Sequence, residues 1–440
     1  MVVGAGPGGS VAAWRCAKLG LRVALIEAKP WDRAWEKVCG DAVGSHHFEA
    51  LGLPPPSGEE LLNRVEGVKI YSPDRSTVLK VEGEGLRGFI VDRRALGLRL
   101  LREALDAGVE LIDEAQALAP IVEGGAVVGV LARRKGGLLE VRAKVVVDAS
   151  GYPAIIRRKC PPGWFPPPPP SDYVVCYREI RRLEEPLGST EYCEIYLDQE
   201  ASPGGYAWVF PRGEREVNAG LGVQVGRGLN PRQLFYSRVL GTLIPSKSEV
   251  VHSGGGVVPT RRPLDRLVGD GVVLVGDAAC QANPMHGGGI GPAMRAGWLA
   301  AEAIASALDA GDASKRGLWR YAVEFNATYG FKQASLDALR MLLQSLGNED
   351  LNWGMKAGLV SGRDLLSLNL GGGPSPSLVE RVRRLLKGAG RPSLLLKLRA
   401  ALRAMSKLRD LYLNYPGPEG LEEWRAEVSR VFEDLRGRLS

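Results

Sequence analysis

The sequence lacks the features that would mark a membrane-spanning, secreted or metal-binding protein. No run of about eighteen uninterrupted apolar residues occurs in the 440-residue chain, which argues against a spanning helix. The N-terminus shows no basic segment, apolar core and cleavage site, so we expect a cytoplasmic protein. The chain has six cysteines without a C-x-x-C pair and only four histidines, so we predict no metal site.

The composition is that of an ordinary globular protein. Hydrophobic residues make up 45% of the chain and charged residues 24%, as expected of a protein with packed cores. The length leaves room for two or three domains of roughly 150 residues each. The net charge of +7 is a modest excess that does not by itself indicate nucleic acid binding, and we predict no nucleic acid partner.

A glycine-rich turn at the N-terminus has the context of a dinucleotide site. The run Gly4-Ala5-Gly6-Pro7-Gly8-Gly9 fits G-x-G-x-x-G, follows a short apolar strand and precedes a predicted helix over 10–19. These glycines permit a tight turn and close backbone approach, and the helix N-terminus attracts a pyrophosphate. A second strand over 21–26 ends in Glu27-Ala28, and an acid there accepts hydrogen bonds from a ribose hydroxyl. NAD and FAD both satisfy this pattern.

Two distant segments favour FAD. A buried strand over 272–275 ends in Gly276-Asp277, and the loop Pro284-Met285-His286-Gly287-Gly288-Gly289-Ile290 then leads into a helix. An aspartate at such a strand end holds polyol hydroxyls, and a glycine loop at a helix N-terminus stabilises negative charge on a flavin ring. A third strand over 144–147 ends in Asp148-Ala149-Ser150-Gly151, whose small residues admit a cofactor. A helix cap is the alternative for Asp277.

These elements resemble the glutathione-reductase-like flavoproteins of the p-hydroxybenzoate hydroxylase type. The resemblance implies that Gly276-Asp277 binds the ribityl chain of FAD and that Val91-Asp92-Arg93 also lies near the cofactor. Noncovalent FAD is therefore the expected cofactor.

Two further segments narrow the family. Lys37-Val38-Cys39-Gly40-Asp41 contains K-x-C-G, and Pro203-Gly204-Gly205-Tyr206-Ala207-Trp208-Val209-Phe210-Pro211 matches P-x-x-Y-x-W-x-F-P. Both segments resemble those of the geranylgeranyl reductases, most closely the archaeal digeranylgeranylglycerophospholipid reductases. The resemblance extends from residue 1 to about residue 308.

The aromatic motif and the cysteine are the candidate reaction residues. In an extended strand Tyr206, Trp208 and Phe210 alternate onto one face, where they would form a wall for an isoprenoid chain, although such alternation also suits ordinary sheet packing. The resemblance implies that Cys39 and Gly40 lie beside the flavin and that Cys39, Tyr206 and Trp208 take part in the reaction. An inert thiol is the alternative for Cys39. The proton donor stays open between Tyr206, Cys39 and an ordered water.

We predict an α/β fold with three parts. A discontinuous Rossmann-like FAD-binding domain is expected over 1–160 and 259–310, with an inserted antiparallel β-sheet substrate domain over 171–258 and a C-terminal helical domain over 311–440. The proline-rich stretch 161–170 is a stiff connector where the chain leaves the flavin domain.

A basic amphipathic helix is predicted over 392–413. Its polar face carries Lys397, Arg399, Arg403, Lys407 and Arg409. The helix is expected to cover the flavin and substrate domains. The alternative is docking on an anionic membrane surface, which would place the protein at the inner face of the membrane.

The sequence thus predicts an FAD-dependent enzyme that saturates C=C bonds in geranylgeranyl chains of archaeal ether-lipid precursors. Its partners would be an isoprenoid lipid and an external electron donor, with NAD(P)H, ferredoxin and reduced deazaflavin left open. One alternative is an aromatic monooxygenase or halogenase on the same fold, although Tyr206 and Phe210 stand where the halogenase form W-x-W-x-I-P has Trp and Ile. The other alternative is a non-catalytic isoprenoid-binding flavoprotein.

Overall fold

Short β-branched runs and longer helical stretches follow one another along the chain, and the computed structural model describes them over residues 1–386 and 391–440. The strands are β1 (Val2–Val3), β2 (Ala24–Ile26), β3 (Ala42–Gly44), β4 (Leu61–Val65), β5 (Gly67–Tyr71), β6 (Val78–Glu82), β7 (Gly88–Val91), β8 (Glu110–Ile112), β9 (Ala115–Glu123), β10 (Ala126–Arg134), β11 (Gly137–Arg142), β12 (Val146–Asp148), β13 (Tyr173–Leu183), β14 (Tyr192–Tyr196), β15 (Ala207–Pro211), β16 (Glu216–Gln224), β17 (Ser248–Pro259), β18 (Val268–Gly269) and β19 (Val272–Leu274). The helices are α1 (Pro7–Lys18), α2 (His46–Glu49), α3 (Arg93–Asp106), α4 (Pro231–Leu234), α5 (Ile290–Asp309), α6 (Lys315–Phe325), α7 (Phe331–Gln344), α8 (Asn348–Lys356), α9 (Gly362–Asn369), α10 (Pro376–Leu386), α11 (Pro392–Leu413) and α12 (Leu421–Leu439).

A six-stranded sheet forms the first layer, in the order β18-β19-β12-β1-β2-β8. All neighbours pair in parallel except β18 and β19. The valines and leucines of β1, β12 and β19 are buried, as expected of a parallel sheet with both faces covered. The carboxyl ends of these parallel strands meet at one edge, which brings the glycine turn, Glu27, Asp148 and Asp277 together.

A seven-stranded sheet forms the second large layer, in the order β17-β13-β16-β15-β14-β5-β6. Its neighbours are antiparallel except for β14 and β5, which run parallel. Strands β5 and β6 come from residues 67–82, a stretch that the sequence analysis assigned to the flavin domain. They pair along the edge of β14, which would otherwise present unpaired backbone groups to solvent. The sheet is thus assembled from two separate parts of the chain.

Two small sheets complete the β structure, β3-β7-β4 and β11-β10-β9. A second glycine run at residues 83–88 precedes strand β7 and not a helix, so it lacks the strand-turn-helix context of a phosphate site. Strand β7 leads directly into Asp92 and Arg93, where Asp92 caps helix α3 by accepting a hydrogen bond from Ala95 N.

The C-terminal helices close the molecule. Helix α11 packs against α7 and α12, and its apolar face is buried there. The buried side chains are Leu394, Leu395, Leu398, Ala401, Leu402, Ala404, Met405, Leu408 and Tyr412. The apolar face is therefore occupied by intramolecular packing. In the described part of the chain, none of the helices combines the length and the hydropathy needed to cross a membrane.

Candidate functional site

The glycine turn at the end of β1 has no space for a side chain at Gly4 or Gly9. Gly4 has a φ of +95°, and a Cβ there would lie 2.6 Å from the carbonyl oxygen of Ala149. A Cβ on Gly9 would lie 1.8 Å from the carbonyl oxygen of Gly4, whereas the Cβ position of Gly6 has nothing within 4 Å. Gly6 therefore faces open space at the start of α1, the position from which backbone N–H groups hold a pyrophosphate.

Glu27 fixes this turn at the end of β2. The carboxylate is buried, with Oε2 accepting from Ala5 N at 2.7 Å and Oε1 accepting from Lys29 N at 2.9 Å. Pro7 is the first residue of helix α1, and the Cβ position of Gly8 lies close to Ala293 of α5. Ala28, next to Glu27, is exposed. Glu27 therefore ties the end of β2 to the glycine turn, and its contact with a ribose hydroxyl stays a prediction.

Asp277 lies on the far side of the same edge. Its Oδ2 pairs with Lys37 Nζ at 2.8 Å, and its Oδ1 lies 3.3 Å from the Cβ position of Gly289. Gly276 precedes it, and the loop of Pro284, Gly287, Gly288 and Gly289 runs into Ile290 at the start of α5. Asp277 therefore contacts both the glycine loop and the segment that carries Cys39.

Asp148 is held by hydrogen bonds from the loop that follows β12. The residue is fully buried, its Oδ1 accepts from Ser150 N and Oγ at 3.1 and 2.6 Å, and its Oδ2 accepts from Arg157 N at 2.8 Å. With both oxygens engaged inside the protein, the carboxylate shapes the loop around Gly151. A cofactor contact at Asp148 stays a prediction.

The aromatic motif forms a continuous wall on the seven-stranded sheet. The ring centroids of Tyr206 and Trp208 are 6.0 Å apart, and those of Trp208 and Phe210 are 6.3 Å apart. Trp208 is buried and its indole leans over β16, with Cζ2 lying 2.5 Å from the Cβ position of Gly220. A side chain at Gly220 would displace the indole, so this glycine determines the position of Trp208 in the wall.

The Cys39 segment, residues 37–41, lies directly against this wall. A Cβ on Gly40 would lie 2.9 Å from Phe210 Cε2, and Val38 Cγ2 lies 2.6 Å from the Cβ position of Gly254. The carbonyl oxygen of Cys39 accepts from Asn218 Nδ2 at 2.7 Å and from Arg178 Nε at 3.3 Å. The half-buried Cys39 side chain packs on an apolar cluster that includes Trp35 and Ile290. The two motifs that carry the family resemblance therefore meet in space.

Tyr206 connects the wall to the glycine loop. Its hydroxyl donates to the carbonyl oxygen of His286 at 2.6 Å. Burial raises the pKa of Tyr206, and the neighbouring thiols of Cys176, Cys39 and Cys193 act in the same direction. The phenol is therefore a fixed hydrogen-bond donor with little acidity.

Two family models match the chain. One described as the geranylgeranyl reductase catalytic domain matches residues 172–258, and one described as FAD dependent oxidoreductase matches residues 1–158. The digeranylgeranylglycerophospholipid reductase of Sulfolobus acidocaldarius is 43% identical over 447 residues, covering 100% of this chain and 98% of that protein. The protein of the same name from Methanothrix thermoacetophila is 33% identical, covering 84% of this chain and 93% of its own length.

The chain belongs to the geranylgeranyl reductase family.

Solved structures agree on the fold. A geranylgeranyl bacteriochlorophyll reductase-like protein from Thermoplasma acidophilum has a TM-score of 0.78 at 23% identity, covering 91% of this chain and 98% of its own. A flavin-dependent brominase has a TM-score of 0.63 at 21% identity, covering 92% of this chain and 98% of its own. At these identities the likeness concerns the fold alone, and the predicted fold class is confirmed.

The reductase is an FAD-dependent oxidoreductase, and its residues fit that cofactor. The turn at Gly4 and Gly9 leaves room only for backbone, whereas the Cβ position of Gly6 faces open space. Arg93, the first residue of α3, has a buried Nε without a hydrogen-bond partner among the described residues, as expected of a group that completes its bonds with a ligand. Glu27 and Asp277 are the acids at the two strand ends that would hold the ribose and ribityl hydroxyls.

Sequence reasoning missed a basic cluster beside the glycine loop. The rings of His46 and His47 lie 4.0 Å apart, and Lys332 Nζ lies 3.8 Å from the ring centroid of Tyr329. Desolvation lowers the pKa of His286 to about 4 and, with the charge of Lys332, lowers the pKa of His46 and His47 as well. No local sequence signal marks this cluster, because α2, the glycine loop and α7 are brought together only by tertiary packing.

We expect Lys332→Met to raise the melting temperature at pH 7. Burial lowers the pKa of Lys332 from 10.5 to about 8, and a lysine with a lowered folded pKa costs stability below that pKa. The free energy of unfolding should rise by up to about 3 kcal/mol at pH 7, and this difference from wild type should fade as the pH rises from 8 to 10.5. Thermal unfolding at pH 7 and pH 10 measures it. Lys356→Met, at an exposed lysine of α8, should change neither value, and an equal gain at both pH values for Lys332→Met would contradict this account.

We expect the double variant Glu27→Ala, Asp277→Ala to bind FAD at least about a hundredfold more weakly, since hydrogen bonds to charged groups contribute about 1.5–3 kcal/mol each. Equilibrium titration of the apoprotein with FAD, followed by flavin fluorescence, measures the dissociation constant. Asp309→Ala, at the exposed end of α5, is the control and should bind like wild type. Full FAD occupancy in the double variant would show that these acids do not hold the cofactor.

Proposed function

We propose that this reductase saturates C=C bonds in the geranylgeranyl chains of an archaeal glycerophospholipid precursor. The observation that carries the proposal is the contact between the Cys39 segment and the wall of Tyr206, Trp208 and Phe210, at the carboxyl edge of the flavin sheet. This contact joins a candidate proton donor, an apolar wall and a cofactor loop in one cleft. The names of the two curated relatives agree with that substrate class.

The reaction adds a hydride to one alkene carbon and a proton to the other. When bound in its reduced form, FAD supplies the hydride. An isolated trisubstituted alkene accepts hydride poorly, so the protein must deliver a proton at the opposite carbon in the same cleft. Each saturated bond then gains two hydrogens.

Cys39 is better placed than Tyr206 to give that proton. The Tyr206 hydroxyl is engaged with the carbonyl oxygen of His286, and burial raises its pKa. Cys39 is a free, half-buried cysteine next to Gly40, whose Cβ position lies 2.9 Å from Phe210 Cε2 of the wall. We assign proton donation to the Cys39 thiol, with the resulting thiolate taking a proton from solvent after turnover.

The aromatic wall positions the chain and excludes water. Trp208 is 7% exposed and forms the middle of the wall, and rigid apolar side chains bind a hydrocarbon mainly through the area removed from water. A displacement of the alkene by about 1 Å can cost around a hundredfold in rate. The wall therefore contributes through placement as well as through affinity.

Anaerobic turnover tests the proposal directly. The FAD-loaded protein is reduced with dithionite, which replaces the external donor, whether NAD(P)H, ferredoxin or reduced deazaflavin, and is incubated with a digeranylgeranyl ether phospholipid. Mass spectrometry should show products heavier by two hydrogens per reduced bond. Products that carry oxygen or halogen, formed only in air, would support the monooxygenase or halogenase alternative. Lipid binding without any mass change would support a carrier.

We expect Cys39→Ser to retain FAD and to lower the turnover number by about a hundredfold, in line with the loss of a positioned general acid. It should also shift the products toward partly saturated lipid. Cys160→Ser is the control, because Cys160 is equally half-buried but lies beside Asp148 and Arg266, away from the wall. Wild-type rates and products in Cys39→Ser would make Cys39 an inert thiol.

We propose further that contact with an anionic membrane uses the exposed basic side chains of α11, since its apolar face is buried. The triple variant Arg399→Glu, Arg403→Glu, Lys407→Glu should cosediment less with vesicles containing phosphatidylglycerol, because each basic residue near such a surface contributes about 1 kcal/mol. Wild-type binding should also weaken as salt rises. The same reversal at the exposed Arg133, Lys135 and Lys144 is the control. If the α11 variant binds the vesicles as well as wild type does, the basic side chains of α11 do not contact the membrane and the helix has only a structural role.

A further inference from the structure

We propose that Asn218 is a positioning residue that fixes the Cys39 segment and the aromatic wall relative to each other, and thereby sets which double bonds of the lipid chain are reduced. The inference rests on the proposed function. Asn218 lies on β16, opposite Phe210 in the register with β15, and its side chain is fully buried.

The Asn218 amide uses both of its ends. Its Oδ1 accepts from the indole Nε1 of Trp208 at 3.1 Å. Its Nδ2 donates to the carbonyl oxygen of Cys39 at 2.7 Å and to Asp41 Oδ2 at 2.9 Å. An amide has one acceptor oxygen and two donor hydrogens, so each hydrogen has its own acceptor, and a flipped amide would lose all three bonds. This residue is therefore the direct link between the wall and the segment.

The Cys39 segment is held on both sides of this link. Asp41 is buried with a φ of +62°, and its Oδ2 also pairs with Arg212 Nη1 at 2.9 Å. A non-glycine residue in this conformation is maintained only when its surroundings over-determine it. Arg178 adds a second donor to the Cys39 carbonyl oxygen, and its Nη1 donates to His252 Nδ1 at 2.8 Å. The segment thus has little freedom to move independently of the sheet.

The consequence concerns selectivity along the isoprenoid chain. The lipid would contact Trp208, whereas the proton would come from Cys39, and both groups depend on the same buried amide. If the hydrogen bonds of Asn218 are lost, the lipid chain can still bind, but the Cys39 thiol no longer lies in the correct position relative to the double bond. The expected signature is a fall in turnover number and a changed product pattern, with a smaller change in KM.

Asn218→Asp tests the link with almost no change in side-chain volume. The carboxylate still accepts from Trp208, but it offers no donor to Cys39 and adds a second carboxylate beside Asp41. We expect FAD binding to remain within about twofold of wild type, the turnover number to fall at least about tenfold, and partly saturated lipids to accumulate. Trp208→Phe removes the indole donor together with part of the aromatic wall, so it should also lower turnover, but it leaves the hydrogen bonds from Asn218 to Cys39 and Asp41 in place.

Asn63→Asp is the matched control. The Asn63 amide likewise donates to two acceptors, here the backbone carbonyls of Thr190 and Pro211 at 2.8 and 3.1 Å, and these bonds involve neither Cys39 nor Trp208. It should keep the wild-type product pattern. If Asn218→Asp keeps both the wild-type turnover number and the wild-type product pattern, or if Asn63→Asp reproduces its effect, the positioning role is wrong.

A second readout does not depend on lipid turnover. The rate at which iodoacetamide alkylates Cys39, measured by peptide mass spectrometry against Cys160 in the same sample, should change at least about threefold in Asn218→Asp and stay unchanged in Asn63→Asp. An unchanged rate would overturn the inference even if the enzyme reduces lipid. If wild-type protein gives no saturated lipid, the proposed function fails, and the alkylation rates still report whether Asn218 positions Cys39. If Asn218→Asp does not fold, Asn218→Ser, which is smaller and has a single hydroxyl donor, carries the same comparison of alkylation rates.

Discussion

The cleft depends on a buried set of charges that joins the three parts of the chain. Asp172, where the chain enters the large sheet, pairs with Arg261, where it leaves, at 3.2 Å. Arg340 of α7 pairs with Asp337 at 2.7 Å and reaches Asp172 at 3.4 Å. Burial raises the pKa of Asp172, whereas the arginines Arg340 and Arg262 outweigh burial at Asp337 and hold its pKa below the usual range. Removing one partner from such a buried set costs roughly 3–5 kcal/mol, so the sheet and the helices are constrained where the chain crosses between them.

That constraint explains how segments far apart in sequence build one site. The Cys39 segment belongs to the part that carries the glycine turn, the wall belongs to the large sheet, and α7 belongs to the C-terminal helices. Because the crossing points are fixed, Gly40 can rest against Phe210 and Lys37 can reach Asp277 without long linkers. The site is then a property of how the sheets dock as much as of any one motif.

Much of this arrangement could be predicted from local pattern. The strand-turn-helix at Gly4, the acids at Glu27 and Asp277 and the bounds of α11 follow from spacing and periodicity, and FAD and the family follow from distant motifs. Local pattern did not reveal that β5 and β6 join the large sheet, because strand pairing between remote segments leaves no periodic signal. It also did not reveal that both oxygens of Asp148 accept hydrogen bonds from the loop that follows its strand. Asn218 left one trace, a lone amide in the apolar run of β16.

The central claim is that Cys39 stands in the same cleft as the lipid chain, and its alkylation in the FAD-loaded wild-type protein tests that claim most directly. Iodoacetamide labelling of Cys39 is followed by peptide mass spectrometry with and without a digeranylgeranyl ether phospholipid in detergent, and Cys160 serves as the internal reference. The account predicts that the lipid slows labelling of Cys39 at least about tenfold while Cys160 is unaffected. Equal labelling of Cys39 with and without lipid would contradict it.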